Sequence, residues 1–206
     1  LFGMLMLYMT DYLHIRSAIA GLIIALTRIF DAINDPIMGQ IVDKTKTKWG
    51  KCRPYMLFTP IPVAVFALLL FAPFNLSGGS AVAYASVMYI LFTVVYTAND
   101  IPYWSMSAVI TTDPKQRSTV VTLTRLIGGL GSASAIGLFW TLNRLFVDKL
   151  GASKNFGFFF SVAVFCVFGT ALMLQGFFNT KERVKGDAKQ KNLLSNLAFM
   201  VKAKPL

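Results

Sequence analysis

The sequence predicts an all-α, polytopic membrane protein, and three observations carry that prediction. Hydrophobic residues make up 55% of the 206 residues, charged residues make up only 14%, and the mean hydropathy is +0.60. A soluble domain carries about a quarter charged residues. The charges are also clumped, because residues 54–99, 126–143 and 155–180 contain no Asp, Glu, Lys, Arg or His. A bilayer-spanning helix needs about 20 apolar residues, so these runs predict membrane spans.

The apolar runs, taken in chain order, predict six helices at 1–10, 17–42, 54–74, 81–110, 118–143 and 155–178. Four of the gaps between them contain Gly or Pro, which end helices, and these breaks lie at 51–54, 75–79, 113–114 and 150–151. The first helix is too short to span a bilayer alone, and the chain begins inside its apolar run at Leu1 rather than at an initiating Met. The chain ends just after another apolar run, 193–201, has begun. We therefore expect both ends to be truncations of a longer protein.

The net charge of +11 predicts an orientation in the membrane. Fourteen of the 20 Lys and Arg side chains fall in alternate connections, at 43–53, 113–117 and 181–206. Cytoplasmic loops carry such an excess of cations, so this side is predicted to be cytoplasmic. The basic tail could also bind anionic membrane lipid. Nucleic acid is not an expected partner, because no aromatic residues are interleaved with the lysines of the tail.

Five charged residues lie inside predicted spans, where each charge costs several kcal/mol on most scales: Arg28, Asp31, Asp35, Asp100 and Arg125. Asp31 and Asp35 are four residues apart and therefore share a helix face. Their repulsion must be relieved by a cation, a shared proton or an arginine partner. Carboxylates together with neutral oxygens, such as those of Asn34 and Thr97, suit a hard cation. A structural ion pair between Arg28 and Asp31 is the alternative.

A second polar group is predicted around Asp100 in the fourth helix and Arg125 in the fifth. Tyr96, Tyr103 and Trp104 lie near Asp100 in the sequence. An acid, an arginine and aromatic rings together are typical of a polyol-binding pocket, in which rings stack on CH groups and charged groups hold hydroxyls. The alternatives are a salt bridge between the two helices or an aromatic belt at the membrane interface.

Three segments carry a resemblance to a known family: 28–39 (RIFDAINDPIMG), 43–55 (DKTKTKWGKCRPY) and 96–105 (YTANDIPYWS). They resemble the glycoside–pentoside–hexuronide:cation symporters of the major facilitator superfamily. The likeness extends from about residue 1 to residue 183. It implies the N-terminal half of a twelve-helix fold, with 1–180 as a six-helix transmembrane bundle whose first helix is truncated. Residues 181–206 would then be the cytoplasmic middle loop, with an amphipathic segment, leading to a missing C-terminal half.

The resemblance also implies residue roles. The family's cation site falls on Asp31, Asn34, Asp35 and Thr97, with Asp31 and Asp35 as the ligands of Na⁺ if the coupling ion is sodium. Its substrate site falls on Tyr96, Asp100, Trp104 and Arg125, and we take Arg28 as a further substrate-binding candidate. Asp43 falls on an acid of the loop between helices two and three that helps to hold the cytoplasmic gate closed.

These observations predict secondary active transport, in which a sugar or glycoside crosses the cytoplasmic membrane with a cation by alternating access. Sodium is favoured because a proton would not require the neutral oxygens of Asn34 and Thr97, and proton coupling stays open. No other cofactor is expected. A sodium-coupled carrier of lysolipids from the same superfamily is an alternative. An enzyme is not expected, because His14 is the only histidine and no Cys/His cluster exists. Nothing suggests the pore symmetry of a channel.

Overall fold

The computed structural model describes residues 2–111 and 113–182. Within them the chain folds into seven α-helices: α1 (Phe2–Leu7), α2 (Ser17–Lys44), α3 (Arg53–Phe58), α4 (Pro60–Leu70), α5 (Gly79–Ile110), α6 (Pro114–Arg144) and α7 (Lys154–Asn179). One π-helical segment follows α1, at Tyr8–Tyr12, and another follows α6, at Leu145–Lys149. The elements follow the six predicted spans in order. The predicted loop 181–206, with its apolar segment, lies outside the described residues except for its first two.

Four helices of the described residues are long and apolar enough to cross a membrane, at Ser17–Lys44, Gly79–Ser107, Pro114–Lys149 and Lys154–Asn179. Pro60–Leu70 is a shorter apolar helix. Together with the family evidence given below, these helices confirm the predicted all-α, polytopic membrane fold.

The third predicted span, 54–74, differs from the structure because it is interrupted and shorter. Helix α3 ends at Phe58, α4 begins at Pro60, and Thr59 lies between them. Proline has no backbone N–H and crowds the preceding turn, which accounts for the interruption. The helix ends at Leu70 rather than at residue 74. A proline also explains an earlier start of the fifth span, because Pro114 occupies the first turn of α6 and Asp113 caps it by accepting a hydrogen bond from the Lys115 N–H (2.9 Å).

Two clusters of buried apolar side chains hold the helices together. The first cluster includes Tyr8 and Phe71 together with Ile23 of α2 and Phe92 of α5. The second cluster joins Val42 of α2 and Met106 of α5 to residues of α3 and α7. The beginnings of α2 and α5 share one cluster and their ends share the other, so the two helices run in the same direction. Asp31, Asp35 and Asp100 lie between the two clusters along these helices.

Large apolar side chains are exposed on several helices, as a membrane protein requires. Leu22, Leu26, Ile29 and Ile33 form such a row along α2, and each is more than half exposed. Gly129, Ala133 and Gly137 form a stripe of small residues along α6, and this stripe is exposed as well. A Cβ atom added at Gly129 or Gly137 would meet no atom of the described residues within 4 Å. The sequence pattern suggests close helix packing at this stripe, but no part of the described residues comes close to Gly129 or Gly137.

Candidate functional site

The middle of α2 presents the first polar group. Arg28, Asp31, Asn34 and Asp35 are spaced by three and four residues, which places them on neighbouring positions of one helical surface. Pro36 follows inside the same helix. Because proline cannot donate a hydrogen bond, the carbonyl group four residues earlier loses its usual helical partner. An acidic surface and a weakened backbone segment therefore coincide at this level of α2.

Helix α5 meets this surface through Thr97. Thr97 is 5% exposed, and its hydroxyl donates a hydrogen bond to Asp35 Oδ1 across 3.2 Å. The two residues are 62 positions apart in the chain, and the bond joins helices that lie side by side. The structure thus brings together a carboxylate and a hydroxyl that sequence analysis assigned to the same cation site.

The Asp31 carboxylate has one paired oxygen and one unpaired oxygen. Arg28 approaches Oδ2 at 3.4 Å within the same helix, so this pair does not connect two helices. The other oxygen, Oδ1, is buried without a hydrogen-bond partner in the described residues, and so is the amide nitrogen of Asn34. A half-turn of the Asn34 side chain would put its carbonyl oxygen in the place of that nitrogen. The unpaired carboxylate oxygen of Asp31, the amide of Asn34 and the hydroxyl of Thr97 together offer the kind of oxygen ligands that a hard cation prefers.

The second polar group lies on α5 and α6. The Tyr96 hydroxyl is 3.4 Å from Asp100 Oδ1, within the same helix. The Arg125 guanidinium lies over the Trp104 ring, 5.9 Å from its centroid. Among the described residues no ion pair joins Asp100 to Arg125. The salt-bridge alternative is therefore not what the structure contains, since Arg125 faces an aromatic ring that is itself 40% exposed.

The end of α2 and the connection that leads to α3 form a charged contact at the predicted cytoplasmic side. Lys51 Nζ donates a hydrogen bond to Asp43 Oδ1 at 2.6 Å. Burial lowers the pKa of Lys51, but the hydrogen bond and the negative charge of Asp43 outweigh it and leave that pKa raised. The predicted gating residue is therefore paired within its own loop. Its carboxylate is still 61% exposed and accessible to another partner.

Glu182 is a structural residue of this end that sequence analysis missed. Its carboxylate accepts hydrogen bonds from three successive backbone N–H groups, those of Lys51 (2.9 Å), Cys52 (2.6 Å) and Arg53 (3.0 Å). Gly50 makes room for it, because a Cβ there would overlap the carboxylate and the backbone has φ +110°. Burial and the charge of Glu182 raise the pKa of the Cys52 thiol to about 12. The signal in the sequence that could have identified Glu182 is its position as a single acid between basic residues.

Asn99 is a second residue that sequence analysis left unassigned. It is 7% exposed, and its side-chain oxygen accepts a hydrogen bond from the Thr59 hydroxyl at 2.7 Å. Thr59 is the residue at which the third span is interrupted. The interruption is therefore fixed to α5 directly beside Asp100. A buried polar residue next to a buried acid was the signal that could have identified it.

Comparison with known proteins adds a family to this geometry. The sequence profile of the family described as MFS/sugar transport protein matches residues 3–205. The chain is 34% identical over 177 residues to the putative glycoside/cation symporter YagG of Escherichia coli (strain K12), covering 85% of this chain and 38% of that protein. It is 35% identical over 189 residues to the isoprimeverose transporter of Lactiplantibacillus pentosus, covering 92% of this chain and 39% of that protein.

The lactose permease of Leuconostoc lactis is a further relative, 30% identical over 182 residues, which cover 82% of this chain and 28% of that protein. The chain thus spans about two fifths or less of the length of these curated relatives. The family match, over residues 3–205, includes both polar groups described above.

Proposed function

The chain belongs to the family of MFS/sugar transport proteins, and from this premise we propose that it is the N-terminal half of a cation-coupled symporter for a sugar or glycoside. Its complete protein would pair residues 1–180 with a second half of similar size, because alternating access needs two halves that move around a site between them. The names of the relatives, a glycoside/cation symporter and an isoprimeverose transporter, support this substrate class.

The observation that carries the proposal is the hydrogen bond from Thr97 to Asp35. It connects the acidic surface of α2, proposed to bind the cation, with the helix that carries the proposed sugar residues. Thr97 is one helical turn from Asp100. A cation that draws in the Asp35 carboxylate therefore acts directly on the position of α5. Such a connection is what coupling between two ligands requires.

The proposed mechanism starts with the cation at Asp31, Asn34, Asp35 and Thr97. Its charge relieves the repulsion between two carboxylates in a region without bulk water, which otherwise opposes movement of the helix across the membrane. Sodium is the ion we propose, because the site offers neutral amide and hydroxyl oxygens that protonation would not need. A proton is the alternative ion that the test below distinguishes.

The sugar is proposed to bind next to this site. Asp100 would accept hydrogen bonds from sugar hydroxyls, and Trp104 would stack on a sugar face, with Arg125 donating from above the ring. Tyr96 would hold the Asp100 carboxylate in place, because its hydroxyl is 3.4 Å away. Arg28 would contact the substrate from the neighbouring surface of α2, where its side chain is 54% exposed.

We propose that the protein lies in the cytoplasmic membrane with its basic loops inside. Two of the basic connections meet in the structure, because Glu182 binds the backbone at Lys51. The two connections lie at the same end of the bundle, which supports their assignment to one side of the membrane by the count of cations. Asp43 lies at this end, exposed enough to contact the second half of the protein, and its proposed role is to hold the cytoplasmic gate closed.

Uptake measurements with the complete protein in membrane vesicles test this function. A panel of labelled sugars and glycosides is offered under an inward sodium gradient or an inward proton gradient, imposed separately. We expect sodium-dependent accumulation of at least one glycoside. Accumulation driven only by the proton gradient would show that the coupling ion is a proton and not sodium. No accumulation of any sugar under either gradient would contradict the proposed function. A lysolipid included in the panel distinguishes the alternative carrier.

A further inference from the structure

Thr93 of α5 has a buried hydroxyl group that the proposed site does not use. The residue is 2% exposed, and its Oγ1 has no hydrogen-bond partner in the described residues. Buried hydroxyls elsewhere in the bundle are satisfied. Thr27 donates to the Ile23 carbonyl (2.9 Å), and Ser161 donates to the Gly157 carbonyl (2.8 Å). A buried polar group without a partner costs free energy, so this exception points to a partner that the described residues do not supply.

The position of Thr93 is fixed by its neighbours on the same helix face. Tyr89, four residues earlier, belongs to the same buried apolar cluster as Ala20 and Ile23 of α2. Thr97, four residues later, donates to Asp35 of α2. Residues four apart share a helix face, so Thr93 lies between two residues that both face α2.

The direction of the two helices shows which part of α2 lies at the same level as Thr93. Helices α2 and α5 run in the same direction, as their shared apolar clusters show. One turn before the paired Thr97 and Asp35 are Thr93 on α5 and Asp31 on α2. Asp31 Oδ1 is also buried and unpaired. Two unsatisfied oxygens thus lie at the same level of two neighbouring helices.

We propose that Thr93 is an additional ligand of the coupling cation, whose oxygen joins those of Asp31, Asn34, Asp35 and Thr97. This inference rests on the proposed cation symport and extends its site by one helical turn toward the beginning of α5. A neutral hydroxyl adds an oxygen that Na⁺ or Li⁺ can use and that a proton bound to a carboxylate does not need. Thr93 would therefore raise the affinity of the site for an alkali cation without supporting proton coupling.

Calorimetric titration of the complete, purified transporter with NaCl tests the proposal without a sugar. Thr93→Val keeps the shape of the side chain and removes the hydroxyl, and Thr93→Ser keeps the hydroxyl. Loss of a group that supports a metal site lowers affinity by about tenfold or more. We expect Thr93→Val to weaken Na⁺ and Li⁺ binding by about that factor and Thr93→Ser to retain most of the affinity.

The matched control is Thr27→Val, because Thr27 is equally buried but its hydroxyl is bound to its own helix. It should leave the dissociation constant for Na⁺ unchanged. Equal affinity of the Thr93→Val and wild-type proteins for Na⁺ would overturn the proposal and leave the cation site of Asp31 and Asp35 standing. An equal loss in Thr27→Val would show that both substitutions act through packing. Absence of Na⁺ binding by the wild-type protein would overturn the proposed site as a whole.

Discussion

The proposed chemistry of this chain depends on Asp31 and Asp35. Each carboxylate in the middle of a membrane span costs about 3 kcal/mol on insertion scales. Arg28 can neutralise only one of them, and it contacts Asp31 from a position where its own side chain is 54% exposed. Asp35 accepts a hydrogen bond from the neutral hydroxyl of Thr97 on the neighbouring helix. A bound cation would therefore neutralise the charge of these two carboxylates better than the ion pair with Arg28 does.

At Asp35 the cation site can be tested by removing the carboxylate. In the complete transporter, Asp35→Cys is expected to abolish sodium-stimulated sugar binding, because the remaining oxygens cannot hold the ion without this charge. Sugar binding is measured over a range of NaCl concentrations at constant ionic strength. Asp148→Cys, which removes an exposed carboxylate beyond the end of α6, is the control. Unchanged sodium dependence in Asp35→Cys would contradict the assignment.

Trp104 carries the corresponding prediction for the sugar. Trp104→Ala removes the exposed ring and is expected to weaken sugar binding about three- to tenfold, the value of an aromatic contact. Cation affinity should stay measurable, because Trp104 lies outside the acidic surface of α2. Both affinities are measured by calorimetry, with Trp140→Ala as a matched tryptophan control. Equal loss of sugar and cation binding would indicate a structural role for Trp104.

At the scale of elements, the third span is held at both of its weak points. Its beginning, at Arg53, is capped by the Glu182 carboxylate from the residues after α7, and Arg53 also donates to the Phe177 carbonyl (2.9 Å). Its interruption at Thr59 is fixed to Asn99 of α5. A short, broken helix has few internal hydrogen bonds, so contacts of this kind determine its position. The third span therefore links the predicted cytoplasmic end to the level of Asp100.

Removal of the Glu182 cap should expose the nearby thiol. Glu182→Ala takes away a negative charge and three hydrogen bonds, and burial together with that charge raises the pKa of Cys52 to about 12. Only the thiolate reacts with a maleimide, and each unit by which the pKa falls raises its fraction about tenfold. We expect labelling of Cys52 at about pH 8 to be at least tenfold faster in Glu182→Ala.

That labelling experiment is carried out with Cys166→Ser in both proteins, so that Cys52 is the reacting thiol. Lys181→Ala is the matched control, because it changes the adjacent exposed side chain and leaves the cap in place. Identical labelling rates in Glu182→Ala and the parent protein would show that the cap neither shields nor perturbs the thiol.

At the scale of the molecule, two apolar clusters enclose a polar layer. Ile23 and Phe92 belong to one cluster, and Val42 and Met106 belong to the other. The acids Asp31, Asp35 and Asp100 lie between these levels. A site near the middle of the span is the arrangement that alternating access uses, since it can be reached from either side in turn. The lateral faces of α2 and α6 stay apolar, so the polar layer does not extend to the surface of α2 that carries Leu22 and Ile33.

The orientation of the molecule can be measured by labelling single cysteines. Lys48→Cys lies in the basic connection between α2 and α3, and Ser153→Cys lies between α6 and α7. A membrane-impermeant maleimide added to intact cells should label Ser153→Cys at once and Lys48→Cys only after permeabilisation, because basic loops stay inside. The two native cysteines are buried and give a low background. Labelling of Lys48→Cys in intact cells would reverse the orientation.

Much of this architecture could be predicted from local sequence. The spans of α2, α5, α6 and α7 follow from predominantly apolar runs, and their observed ends lie within four residues of the predicted ones. The length of a span and the spacing of Asp31 and Asp35 are properties of one segment, so no distant contact is needed to read them. The interruption at Thr59 is a different case. Pro60 signals it, but the apolar run on both sides favoured a continuous helix.

The sequence by itself determined that this chain is an all-α membrane protein and which charged residues lie within its spans, because composition and helical periodicity act locally. Only the tertiary structure decided which of these residues meet. It joins Thr97 to Asp35, places Arg125 over Trp104 instead of Asp100, and brings Glu182 to the beginning of α3. These contacts depend on the register and direction of helices far apart in the chain, which no single segment encodes.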